Sequence, residues 1–197
     1  MILSEALAEL SSIHTAKGNL AQAEKDLGEA GRGGLPETQG AIALAAAELA
    51  MAKDRYAEAA HAAQESAAAF DKAHLDASSA LAFVTAADAL EMSNSIEGAL
   101  AACREGEKRA VRTPNQFPIA LAQLCTWKLL AAAPEKFRLP IAKLNNPELT
   151  LMYDYARAVR AKRAGKPEYR LLFENLGDAA RKLGYITLSR RAASRGL

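Results

Sequence analysis

Residues Ala6 to Ala30 read ALAELSSIHTAKGNLAQAEKDLGEA, and this stretch decides the fold. Alanine and leucine recur at fixed offsets on both sides of Gly18-Asn19, a pair that punctuates helical patterns as a turn. The segment predicts a helix, a tight turn and a second helix. Small residues stand where two helices would touch, and larger ones where space between hairpins must be filled.

The pattern returns about 36 residues later, with Ala43, Ala46, Ala47 and Ala50, then the turn Asp54-Arg55-Tyr56, then Ala59, Ala63 and Ser66. A third copy follows after about 40 more: Phe83, Ala86, Ala87 and Leu90, the turn Asn94-Ser95, then Ala99, Cys103 and Gly106. This organisation resembles the tetratricopeptide repeat, a helix hairpin of about 34 residues. Leu7, Leu10, Ser11 and His14 stand at its first-helix signature positions, Gly18 in its turn, and Ala23, Leu27 and Ala30 at its second-helix positions. The family's aromatic positions are mostly alanine or leucine here, which brings the helices closer. The resemblance implies an all-α, right-handed solenoid of antiparallel helix hairpins, about ten helices in all. Three hairpins are expected over 1–113, and degenerate repeats ending in a capping helix over 114–197, as one continuous solenoid.

Proline placement agrees with these boundaries. No proline falls between Glu37 and Thr113, a stretch expected to hold four helices. Pro36, Pro147 and Pro167 each precede a glutamate and suit the first helical turn. The GRGG run from Gly31 to Gly34 ends the first hairpin. Beyond Pro114 a helix is expected from Gln116 to Ala133, carrying Trp127, followed by a short helix in PEKFRLPIAKLNNP. ELTLMYDYARAVRAKRAG and EYRLLFENLGDAARKLG form a further helix–turn–helix, and YITLSRRAASRGL a last helix that caps the array. No alternating strand pattern appears.

Composition bounds the function. Of 197 residues, 46 are alanine and 26 leucine, both strong helix formers, and only 6% are aromatic. No apolar run reaches the roughly 18 residues of a membrane span, and the N-terminus lacks a basic, then apolar, leader; a cytoplasmic protein is expected. Cys103 and Cys125 are too few for a disulfide framework and too far apart for a zinc pair, so each reads as a buried structural thiol. Glu58-Ala-Ala-His61 and Asp71-Lys-Ala-His74 have di-iron spacing, but along one helix they would sit about 20 Å apart and share no metal. No nucleophile elbow, phosphate loop or dinucleotide fingerprint is present. The expectation is no enzyme, no metal and no cofactor.

Charge is unevenly placed: residues 1–100 hold 6 Lys+Arg and 15 Asp+Glu, residues 101–197 hold 19 and 8. The densest basic cluster contains Arg157, Arg160 and Arg163, with Lys162 and Lys166 beside them. It offers a polyanion or nucleic-acid site, though without a recognition motif, and it also suits the C-terminal end of a helix dipole.

In such arrays the concave surface binds partners. The resemblance places Glu5, Ala8, Ser12 and Thr15, then Leu44, Glu48 and Met51, then Val84, Asp88, Glu91 and Met92 on that surface. Lysine, asparagine and arginine for clamping a C-terminal carboxylate are missing from the set. A groove of small, apolar and acidic side chains suits an apolar or basic peptide, or a basic amphipathic helix; the protein's own terminal helices are the alternative occupants. FENLGDAARKLGYITLSRRAASRGL also resembles the closing helices of tetratricopeptide modules at the C-terminal ends of larger bacterial signalling proteins, including protein kinases and winged-helix regulators. The expected function is a non-catalytic protein- or peptide-binding scaffold, a module of such a protein. A homo-oligomerisation module and a polyanion binder are the alternatives.

Overall fold

A computed structural model of the chain describes residues 2–31, 34–130 and 145–197. Among them the protein is all-α, with ten helices that pack on their neighbours in chain order as a solenoid-like array. They are α1 (Ile2–Ala16), α2 (Leu20–Ala30), α3 (Pro36–Ala52), α4 (Tyr56–Lys72), α5 (Asp76–Met92), α6 (Ile96–Ala110), α7 (Gln116–Leu129), α8 (Pro147–Arg163), α9 (Tyr169–Lys182) and α10 (Ile186–Gly196). Helices α3 to α7 begin at residues 36, 56, 76, 96 and 116. A hairpin therefore repeats every 40 residues here, longer than the tetratricopeptide period of about 34.

One turn geometry makes most of the links. Gly18, Asp54, His74, Asn94, Gly165 and Gly184 each adopt a positive φ between 56° and 83° directly after a helix. In each case the next amide closes back on the helix, as Asn19 N to His14 O at 2.8 Å and Ser95 N to Leu90 O at 2.8 Å. That hydrogen bond satisfies a carbonyl the helix end leaves open. His74 thus lies in a turn, and the expectation that it shares a helix with His61 fails. The His61 ring meets Glu65 at 3.5 Å on the surface, and no group able to hold a metal occurs among the described residues.

The core is built from alanine. Ala47, Ala59, Ala63, Ala86, Ala87 and Ala99, all at repeat positions, are fully buried. Two glycines allow still closer approach: a Cβ on Gly40 would lie 2.7 Å from the Phe70 ring, and one on Gly106 3.2 Å from the Ala80 carbonyl. Ser66 and Ser11 are buried as well, and each donates to a carbonyl of the adjacent helix, Gly40 O at 2.7 Å and Ala23 O at 2.8 Å. A small polar residue is thereby tolerated where backbones nearly touch.

Cys103 and Cys125 correct the sequence reading. They are buried, as expected, but joined to each other in a disulfide between α6 and α7, with Cα atoms 5.6 Å apart. A separation of 22 residues gave no reason to pair them; the packing of two neighbouring helices does. The helix expected to reach Ala133 ends at Leu129, where Leu130 is extended; Arg32 and Gly33 of the GRGG run and most of PEKFRLPIAKLNNP lie outside the described residues.

Helices α1, α3, α5 and α7 touch in succession, α7 packs on α8, and α9 and α10 complete the row. The row then closes: α10 reaches α1, where the Thr187 hydroxyl donates to Thr15 O, and Ile186 and Arg190 press on Gly18. The concave side is consequently a ring of helices around a partly open pocket.

Candidate functional site

Six helices line a chamber of about 500 Å³ at the centre of that ring. Ser12 and Thr15 come from α1, Leu44, Glu48 and Met51 from α3, and Leu81, Val84, Thr85 and Asp88 from α5. Phe117 and Leu121 of α7, Glu148 and Met152 of α8, and Thr187, Leu188 and Arg191 of α10 close it. Of the groove residues expected from the repeat register, Ser12, Thr15, Leu44, Glu48, Met51, Val84 and Asp88 are brought together here; exposed Glu5 and buried Ala8 lie outside it. Glu91 and Met92 lie outside it too.

Those two lie beneath α10. Arg195 donates to Glu91 at 3.0 Å, to the Tyr155 hydroxyl at 2.6 Å and to the Met92 sulfur at 3.2 Å. Lys128 of α7, itself buried, contacts Asp88 and stands 3.4 Å from Glu91, while Arg191 reaches Asp88 at 3.6 Å. Arg191, Arg195 and Lys128 also surround the Tyr155 ring, the first with its guanidinium 4.7 Å from the ring centre. Burial alone would raise the Glu91 carboxyl, but Lys128 and Arg195 outweigh it and hold it at about 2. Burial works against the charge on Lys128 too, and Asp88 and Glu91 reverse the effect, so its pKa is raised.

A buried ionic network of this kind fixes an arrangement more surely than it adds net stability. Here it locks α10 across α5, α7 and α8. Part of the acidic groove is therefore occupied in cis by a basic helix, with Arg191 and Arg195 one turn apart.

The carboxylates at the other side of the chamber are in a different state. Glu48 accepts a hydrogen bond from Ser12, and no cation pairs with Glu48 or Glu148 among the described residues. Burial raises the pKa of both, and the charge of Glu148 pushes Glu48 further in the same direction. Lys128, Glu148, Tyr155, Arg191 and Arg195 were not singled out from the sequence, because all five come from the half where the repeat register is lost. Arg157, Arg160 and Arg163 had drawn attention there instead.

Those arginines separate. Arg160 is half-buried; its guanidinium sits 4.7 Å from the Trp127 ring centre and donates to Trp127 O at 2.8 Å and to Leu130 O, closing the end of α7. Arg157 lies 5.8 Å from the Tyr153 ring centre and 3.4 Å from Asp154. Arg163 is exposed. With Lys166 they border a cleft of about 440 Å³ whose wall includes Trp127 and Tyr153, stacked in parallel at 5.6 Å.

No helix among the described residues is long and apolar enough to cross a membrane. No family model matches the chain, and comparison with curated proteins and with solved structures yields no match.

Proposed function

We propose that the protein is a non-catalytic binding module of the tetratricopeptide-like class, which takes a short segment of a protein or peptide partner into the chamber ringed by α1, α3, α5, α7, α8 and α10. The observation that carries this reading is the convergence of Leu44, Glu48, Met51, Val84 and Asp88 from two repeat copies on one predominantly apolar space. Its volume falls within the range of about 300–1,000 Å³ typical of binding sites for small groups. An extended segment, a large side chain or one face of a basic amphipathic helix suits the open side of this pocket. In a bacterial signalling protein such a module serves as a sensing or docking arm.

Met51 and Met152 line the chamber, whereas Met92 lies under Arg195, so methyl resonances of the three report on occupancy. Titration with short apolar and basic peptides is expected to shift Met51 and Met152 and leave Met92 in place. Thr85→Phe, which fills the chamber from α5, is expected to abolish those shifts. Shifts that persist in the filled variant place binding elsewhere and refute the reading.

The stacked Trp127–Tyr153 pair beside Arg157, Arg163 and Lys166 favours one second reading, a polyanion site on α8. It predicts salt-dependent binding of single-stranded DNA, weakened by Arg157→Gln with Arg163→Gln and with a shallower salt slope. No binding at low salt refutes it. Homo-oligomerisation draws support from Leu3, Leu10 and Ile13, exposed on α1, and light scattering decides between monomer and dimer.

A further inference from the structure

The chamber is unevenly charged. Its lining holds three carboxylates, Glu48, Asp88 and Glu148, against one guanidinium, Arg191. Asp88 is already matched by Lys128 and Arg191, so the excess negative charge belongs to Glu48 and Glu148. Their surroundings are apolar: Leu44, Met51, Leu81, Phe117, Leu121 and Met152 line the same space. Two carboxylates in such a setting are costly unless something neutralises them.

A second observation points the same way. Thr15 is 3% exposed and lines the chamber, and its hydroxyl has no hydrogen-bond partner among the described residues. A buried hydroxyl without a partner is rare in folded proteins and calls for a ligand or an ordered water. Ser12, one turn earlier on α1, donates to Glu48, so Thr15 and Glu48 line the pocket from neighbouring helices. A hydroxyl oxygen and two carboxylates are all acceptors; a group with several N–H donors and a positive charge complements them.

We infer that the chamber takes a primary ammonium carried on an apolar stem, the chemistry of a lysine side chain or of a small alkylamine, with the ammonium held between Glu48, Glu148 and the Thr15 hydroxyl and the stem against Leu44, Met51, Leu121 and Met152. This rests on the proposed binding role of the chamber and names what it selects. A lysine stem buries along apolar surface while its head group keeps its hydrogen bonds, which is what this lining provides. Arg191 stays with Asp88 on the α10 side and does not compete for the same carboxylates.

The test is a calorimetric titration of the full chain with n-hexylammonium chloride and with n-hexanol, which share a stem and differ in charge. The ammonium is expected to bind more tightly by on the order of ten- to a hundredfold, the yield of charge-assisted hydrogen bonds. Glu48→Gln with Glu148→Gln keeps side-chain shape and is expected to remove that preference while hexanol binding stays as it was. Melting curves of the variant confirm that it folds.

Equal binding of the two probes overturns the inference but leaves the chamber as a binding site. Failure of both probes, with no shift of Met51 or Met152, overturns the inference and the proposed function together. Acetyl-lysine-methylamide and its norleucine counterpart identify the source. Preference for the lysine compound points to a partner's side chain, and its rejection beside strong hexylammonium binding points to a free amine.

Discussion

Gly40 has no room for a methyl group. A Cβ there would approach two atoms of the Phe70 ring to 2.7 Å, and Phe70, on α4, is itself buried against α3 and α5. Gly40 also provides the carbonyl that Ser66 uses, so neither helix can retreat without losing that bond. Gly40→Ala, although favourable for helix propensity, is expected to lower stability by about 1–3 kcal/mol in urea unfolding. Gly28, whose added Cβ would meet nothing within 4 Å, is the control: Gly28→Ala is expected to be neutral or stabilising. The sequence marked Gly106 as a small-residue position; nothing in it distinguished Gly40, since only the packing of Phe70 makes that site tight.

At the scale of elements, the Cys103–Cys125 disulfide ties α6 to α7, where the regular 20-residue spacing of helix starts ends. Closing a loop of that length removes unfolded-chain entropy worth about 3 kcal/mol, so dithiothreitol is expected to lower the melting temperature of the wild type and leave Cys103→Ser, Cys125→Ser unaffected. The bond also bears on location. Reducing cytosol keeps such pairs as thiols, so the state of this pair in cells distinguishes a cytoplasmic from an exported protein. Acid-quenched thiol trapping in the producing cells, with two free thiols expected in a cytoplasmic protein and none in an exported one, decides between them. The α10 helix was legible in ITLSRRAASRG, but that it sets Arg191 and Arg195 on Asp88 and Glu91 required the row of helices to bend back on itself.

The whole molecule titrates in two opposed ways. Glu91 falls from its ordinary 4.5 to about 2 in the folded state, so its contribution is present above about 4.5 and is lost as pH falls toward 2. Asp71 acts in the same sense: burial resists its ionisation, but Arg109 and Ser79 hold its carboxyl below its ordinary value. Glu48 and Glu148 have raised values, so their contribution is present below 4.5 and is lost as pH rises and the unfolded chain ionises first. The melting temperature is therefore expected to climb between pH 2 and about 4.5 and to decline above it. Glu48→Gln should flatten the decline, and Glu91→Gln should flatten the climb while lowering stability at neutral pH by on the order of 3 kcal/mol. A Glu48→Gln variant that is less stable at pH 7 than the wild type would contradict the assignment of Glu48 as an unpaired, desolvated carboxyl.

The sequence by itself determined the helices, their turns and the alanine faces, because these depend on spacing within about ten residues: Gly18, Asp54 and Asn94 mark turns where they were expected, and Ala47, Ala63, Ala87 and Ala99 are buried where the repeat requires. The repeat resemblance placed Glu48, Met51, Val84 and Asp88 on the inner side of α3 and α5, where they line the pocket, and Glu91 and Met92 with them, which do not. Tertiary structure alone decided what meets them. Whether the inner row of helices stays open or closes depends on small rotations accumulated over every interface, and no local pattern encodes their sum. That closure brings Thr187 to Thr15, sets Arg195 on Glu91, and narrows an open groove to a pocket whose Glu48 and Glu148 meet no cation among the described residues.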